Sequence, residues 1–219
     1  PFSITQSNIL YTLVGTSIKN HSGKSLAELD ELEIPGKHNL SNLLSAATCS
    51  HLLGIPDDHI SHVMKTFTGI EHRLEHVITI NDVQYINDSK ATNINSVIVA
   101  IDTFKKPIIL ILGGRNKGAD FRLLLPHIKS SHVRDISSYG EAGGQISTAI
   151  GDAVRSVQVT DLNSAVKTAQ RLAAPGDVVL LSPGCASFDQ FANFEERGQY
   201  FKTKVRKIIK VYITNKLSF

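Results

Sequence analysis

Tryptophan is absent from this 219-residue chain, cysteine occurs twice and methionine once. With aromatics at 6% there is little on which bases could stack, so nucleic acid is not an expected partner. The formal net charge of +3 and a pI near 8.9 suit small anionic substrates better. No apolar run nears the roughly 20 residues of a membrane-spanning helix. The opening Pro1-Phe2-Ser3-Ile4 also lacks the basic-then-apolar pattern of a secretory signal, so a cytoplasmic protein without a membrane partner is expected. Cys49 and Cys185 lie far apart with no Cys-x-x-Cys, which argues for reduced thiols and against a zinc site or a disulfide. The dinucleotide fingerprint G-x-G-x-x-G is missing, which weighs against a nicotinamide dehydrogenase. Gly113 to Gly118 has the outer spacing of a P-loop, but Ala119-Asp120 follows where Lys and Ser or Thr would have to stand.

What is present divides near Thr68-Gly69. Before that point, Ile9 to Val14 reads as a strand, and residues 1–37 as two or three strands whose partners lie elsewhere, broken by Gly15, by Asn20 to Gly23 and by Pro35-Gly36. Leu43 to Leu53 is rich in Leu and Ala and predicts a helix buried on most sides, ending at Gly54. A second helix follows Pro56, capped by Asp57 or Asp58, with Ile60, Val63, Met64 and Phe67 as its apolar stripe. His59 and His62 fall on its polar side; with no third ligand nearby they are read as a solvated face.

From Glu71 onward strands and helices alternate, which predicts an α/β domain with a mostly parallel, Rossmann-like sheet flanked by helices. Val77 to Ile80 and Val83 to Ile86 flank Asn81-Asp82, a pair that tolerates positive φ in a tight hairpin. Pro107 to Leu112 is a continuous apolar run, read as a strand buried on both faces. Further strands are expected at Val133 to Ser137, Val154 to Val159 and Val178 to Leu181, with helices near Ala142 to Ile150 and Leu162 to Ala173, the latter capped by Asp161. A last helix, Phe194 to Tyr212, should bury Phe201, Val205, Ile208, Ile209 and Tyr212. Lys202, Lys204, Arg206, Lys207 and Lys210 would cover its solvated side.

In such sheets ligands bind beyond the carboxyl ends of the strands. The loops there read Asn87 to Asn93, Gly113 to Asp120, Gly140 to Gly143 and Ser182 to Asp189, and they hold most of the unusual composition. In the first, Thr92 or Asn93 caps the helix that follows, and the helix's positive end beside Lys90 favours a phosphate or carboxylate. In the second, Lys117 offers a point charge among glycines that let the backbone approach a ligand.

Three motifs taken together carry a resemblance: Asp88-Ser89-Lys90-Ala91-Thr92-Asn93, Gly113-Gly114-Arg115-Asn116-Lys117-Gly118-Ala119-Asp120-Phe121, and Leu181 to Asp189 with Asn193 to Gly198. With His38-Asn39-x-x-Asn42 and His72-Arg73-x-Glu75, they resemble the Mur ligases over about Lys37 to Val205. The Asp-Ser-Lys-Ala-Thr-Asn run points to the members that add D-glutamate. The resemblance implies an ATP-dependent, ADP-forming ligase of peptidoglycan synthesis. ATP would phosphorylate the carboxylate of UDP-N-acetylmuramoyl-L-alanine, and the amine of D-glutamate would attack the acyl phosphate. It also implies roles: Asn39 and Asn42 at the nucleotide base, Arg73 and Asp88 at its phosphates and ribose, and Lys90 between nucleotide and amino acid. Thr92 and Lys117 would hold one carboxylate of D-glutamate, and Ser187, Phe188 and Phe194 the other. Lys90, Arg73 and Asp88 form the implied catalytic group. Residues 1–68 would then be part of a central ATPase domain without its P-loop, and residues 70–219 a carboxyl-terminal domain. No metal ligand is implied within this chain, the Mg2+ ligands being expected upstream, and no oligomer is required. The chain alone is expected to be an inactive fragment. A stand-alone α/β module binding an amino acid or nucleotide without turnover is the alternative.

Overall fold

A computed structural model describes residues 10–34, 37–130 and 132–216, and divides the chain into compact units at residues 1–69 and 70–219. Ile9, Pro35-Gly36 and the side chains of Ile209, Lys210 and Tyr212, for which the sequence carries expectations, lie outside the described residues.

In the first unit, strands β1 (Tyr11–Val14), β2 (Ser17–Asn20) and β3 (Ser25–Glu28) pair antiparallel in that order, so among the described residues they find their partners in one another. Alternation alone showed strands but could not say which would pair. Helix α1 (Lys37–Leu52) begins well before the apolar run does, and helix α2 is Asp57–Thr66. The expectation that α1 is buried on most sides fails. Among its described side chains only Leu43 and Ala47 are buried, and Leu52 is 73% exposed. Alanine-rich sequence reports helix propensity as much as burial. In α2 only Ile60 and Met64 of the expected stripe are buried, while Val63 and Phe67 are exposed. Neither aspartate caps α2: Pro56 holds the cap position, and Asp57 instead accepts from Tyr11 Oη at 2.5 Å and Asn20 Nδ2 at 2.6 Å. His59 and His62 are exposed.

The second unit contains β4 (Glu75–Ile80), β5 (Val83–Asn87), α3 (Ile94–Thr103), β6 (Ile108–Gly113), α4 (Leu125–Ser130), β7 (Val133–Tyr139), α5 (Gly143–Ile150), β8 (Arg155–Gln158), α6 (Leu162–Leu172), β9 (Val178–Gly184) and α7 (Phe194–Lys216). Its six strands lie in the order β4-β5-β9-β6-β7-β8, all parallel except β4 against β5. Asn81 and Asp82 take φ of 51° and 60°, as the tight β4–β5 hairpin demands. Ile108 to Leu112 are all 0% exposed because β6 lies inside the sheet with helices on both faces. Each of these side chains contributes about 1.5–3 kcal/mol by burial.

One apolar layer joins α3, α4 and α5 to the sheet, and the other joins α6 and α7. The last strand, β9, lies between β5 and β6, yet leads to α7, on the face opposite α3 and α4. Adjacent strands whose exits diverge open a crevice at their carboxyl ends.

Candidate functional site

Asp88 follows β5 directly, and its amide donates to Leu181 O at 2.8 Å, so the loop begins locked to β9. Its carboxylate is buried, accepting from Ser182 Oγ at 2.8 Å and Leu74 N at 3.2 Å. Burial pushes that carboxyl up to about 7, while the Ser182 hydroxyl, the Leu74 amide and the charge of Arg73 pull the other way.

The following residues are held from several sides. Ser89 is fully buried and donates from Oγ to Phe194 O at 2.8 Å. The Lys90 amide donates to His72 O at 3.0 Å, while its side chain is exposed, with Nζ 5.6 Å from the centre of the Phe194 ring. Thr92 is half-buried; Asn93, not Thr92, caps α3, accepting from Ser96 N at 3.0 Å. Gly184 N donates to Ala91 O at 2.9 Å, fastening this loop to the one after β9.

The loop after β6 is tied to the same centre. Arg115 and Ala186 exchange backbone hydrogen bonds of 2.9 and 3.0 Å. Gly114, with φ of +124°, passes so close that an added Cβ would lie 2.3 Å from Ala186 O, so glycine is required there. Asn116 shapes the tip, accepting from Ala119 N at 2.7 Å and donating to Gln145 Oε1 at 2.9 Å, and Lys117 stands exposed beside it. Arg115 pairs with Glu141 at 2.8 Å, and Glu141 N donates to Asp189 Oδ2 at 3.3 Å, which joins the third and fourth loops. Ser187 is buried and its carbonyl accepts from Phe191 N at 2.9 Å, while Phe188 is 60% exposed.

The structure thus brings Arg73, Asp88, Lys90 and Phe194 to one corner of the rim, and holds the Lys117 and Ser187 loops against it by backbone bonds. No carboxylate pairs with Arg73, Lys90 or Lys117 among the described residues, so three cations stand ready for anions. Asn39 and Asn42 lie on α1 of the first unit, Asn39 half-buried and Asn42 exposed.

Two basic residues of α7 matter more than sequence reasoning had them. Arg197 is fully buried and donates Nε to Ser89 Oγ at 2.9 Å, one terminal nitrogen to Ser89 O at 2.8 Å and the other to Cys185 O at 3.0 Å. Lys202, expected on the solvated side, is 6% exposed and bonds Glu71 at 2.5 Å and Glu75 at 2.7 Å. The signal was available for Arg197, since Phe194, Arg197, Phe201 and Val205 follow helical spacing and set a charge on the apolar stripe.

The model of the family described as "Mur ligase, glutamate ligase domain" matches residues 72–185. A UDP-N-acetylmuramoylalanine--D-glutamate ligase of Salinibacter ruber is 42% identical over 186 residues, covering 84% of this chain and 40% of the relative. One of the same name from Bacillus mycoides is 41% identical over 201 residues, covering 89% of this chain and 44% of the relative. The matched segment therefore covers less than half the length of these curated relatives. Among solved structures, the UDP-N-acetylmuramate-alanine ligase MurC of Thermotoga maritima shares the fold, with a TM-score of 0.65 and 14% identity over 91% of this chain and 43% of that one. So does E. coli FolC in complex with ADP, with a TM-score of 0.61 and 17% identity over 93% of this chain and 46% of that one. By its family match, over a segment that contains three of the four rim loops entire and reaches into the fourth, this chain belongs to the Mur ligase glutamate ligase domain family.

Proposed function

We propose that this chain supplies the D-glutamate site and part of the nucleotide site of a cytoplasmic, ATP-dependent ligase that joins D-glutamate to UDP-N-acetylmuramoyl-L-alanine. The observation that carries the reading is the rim: three cations without carboxylate partners among the described residues, in a chain whose relatives bear that ligase's name. Residues 70–219 act as the carboxyl-terminal domain and the first unit as part of a central ATPase domain, with Asn39 and Asn42 offered to a nucleotide base.

In the reaction, a carboxylate oxygen of UDP-N-acetylmuramoyl-L-alanine attacks the γ-phosphorus of ATP and ADP leaves. The D-glutamate amine then attacks the acyl carbon, losing a proton, and inorganic phosphate departs. Such chemistry needs positioning and positive charge around the moving phosphoryl group more than it needs a covalent catalyst. Arg73 and Lys90 supply that charge at the corner next to Asp88. Lys117 and Thr92 grip one carboxylate of D-glutamate, while Ser187, Phe188 and Phe194 form the wall that takes the other, through backbone amides and ring edges. Mg2+, when bound, would neutralise phosphate charge; among the described residues the one cluster able to ligate it by spacing is Glu71, His72 and Glu75, and both its carboxylates already bond the Lys202 ammonium.

Calorimetric titration of the chain with D-glutamate, L-glutamate and ADP tests the reading. Binding of ADP, and of D-glutamate in preference to its enantiomer, is expected. Equal affinity for the two enantiomers would remove the D-glutamate site from this rim.

A further inference from the structure

We propose that Lys202 is a positioning residue for Arg73: its ammonium, buried between the carboxylates of Glu71 and Glu75, fixes the turn that presents the Arg73 guanidinium to a nucleotide phosphate. The inference rests on the reading of Arg73 as a phosphate contact.

The turn from Ile70 to Glu75 is not one that its sequence adopts freely. His72 and Leu74 both have positive φ, 66° and 47°, which costs a non-glycine residue about 1 kcal/mol or more. Histidine enters that region more readily than most residues, but leucine rarely does, so surrounding bonds must hold the turn at Leu74 above all. Leu74 N is held by Asp88 and His72 O by Lys90 N, and Glu75 ties the turn to its surroundings. Its Oε2 accepts from His72 N at 3.0 Å and from Asn87 Nδ2 at 2.9 Å, and its Oε1 accepts from Lys202 at 2.7 Å. Lys202 also takes Glu71, at the turn's other end, so one ammonium on α7 closes both sides of the segment that carries Arg73. Burial opposes the Lys202 charge, but the bonds and attraction of Glu71 and Glu75 outweigh it and hold the ammonium above its ordinary range.

Behind the turn, the His72 ring lies in a slot on α7, its Nδ1 2.9 Å from Asn87 Nδ2 and its ring edge-on to Phe194. The titratable groups here are Glu71 and Glu75, both paired with Lys202, and His72, 3.8 Å from Glu71 and 3.9 Å from Glu75, and the ligand atoms of the three lie within 4.8 Å of one another. By spacing these three groups could take a metal ion, but an ion there would have to expel Lys202. Arg73, by contrast, is exposed, and its charge bears on Asp88, to which the turn is also tied through Leu74 N. Removing Lys202 leaves Glu71 and Glu75 repelling each other across the turn, with less to offset the strain at His72 and Leu74.

Two readouts separate this inference from the reading beneath it. The first needs no ligand: the Asp88 carboxyl is titrated by carbon NMR in the wild type, Arg73→Met, Lys202→Met, the double variant and Lys202→Arg. Arg73→Met should raise the midpoint by removing an attracting charge. Lys202→Met should raise it equally, the double variant no further, and Lys202→Arg, which keeps both carboxylate partners, should restore it. An unchanged midpoint in Lys202→Met, or an additive rise in the double variant, overturns the inference. The second readout is ADP affinity, expected to fall about tenfold in Lys202→Met and to recover in Lys202→Arg. Absence of ADP binding to the wild type would sink the phosphate role of Arg73, while the carboxyl titration would still decide whether Lys202 sets its position.

Discussion

Arg197 Nε donates to Ser89 Oγ at 2.9 Å between residues 108 positions apart, and the same guanidinium holds Ser89 O and Cys185 O. A planar fork with fixed donors is thereby the rivet between the first and fourth rim loops. Replacing Arg197 by Lys keeps a charge but strands at least one buried acceptor, and the expected loss is about 2–4 kcal/mol of stability. Urea unfolding of Arg197→Lys checks this; a variant as stable as the wild type would mean that water satisfies those acceptors.

The Asp88 carboxyl makes stability depend on pH in an uncommon direction. Its folded-state pKa is raised to about 7, above an unfolded value of about 3.9. The folded protein therefore binds the proton more tightly, and the stability this group contributes below about pH 4 is lost as pH rises through about 7. Asp88→Asn, which cannot ionise, should gain on the wild type across that window by an amount bounded at about 4 kcal/mol. Urea unfolding of both proteins at about pH 5 and about pH 8 reads the difference; a gap that does not grow with pH would refute the burial argument.

Much of the second unit was legible because local rules and tertiary packing agree there. Asn81-Asp82 gives the tight turn, Asp161 and Asn93 cap the helices they precede, and the apolar run at Ile108 to Leu112 is the buried strand. Where a side chain's fate depends on a distant partner, spacing fell silent. Lys202 reads as one more solvated lysine until Glu71 and Glu75 are brought to it from more than a hundred residues away. Of the rim residues, those in loops stood out by composition, whereas Arg197, on a regular helix, stood out only by interrupting its apolar stripe. In the first unit, Leu52 and Leu53 look like core by type, yet they end a helix whose buried face is narrow.

Gly198 marks where α7 lets the His72 ring in. A Cβ at that position would lie 2.2 Å from His72 Nδ1, so Gly198→Ala must push the ring out of its slot and strain the turn that bears Arg73. The expected cost is about 1–3 kcal/mol, against the small gain that alanine normally brings to a helix interior. Thermal unfolding distinguishes the two signs. A stabilised variant would show that the ring moves aside without cost and that the slot does not constrain the turn.

Lys117 and Lys90 should separate the two anions that the rim is proposed to take. Both are exposed and without a carboxylate partner among the described residues, so a ligand's negative charge meets them without first breaking an ion pair. Lys117→Met should weaken D-glutamate about tenfold and leave ADP nearly unchanged, because Lys117 stands on the loop after β6 whereas Asp88 and Lys90 stand on the loop after β5. Lys90→Met, beside Asp88 and Phe194, should weaken both. Because these charges are solvent-exposed, raising salt from about 0.05 to about 0.5 M should weaken D-glutamate in the wild type more than in Lys117→Met. Calorimetry on the three proteins at both salt concentrations gives the comparison. If Lys117→Met instead lost ADP and kept D-glutamate, the loop after β6 would belong to the nucleotide, and the carboxylate assigned to Lys117 and Thr92 would have to be gripped from the Asn87 to Asn93 loop without it.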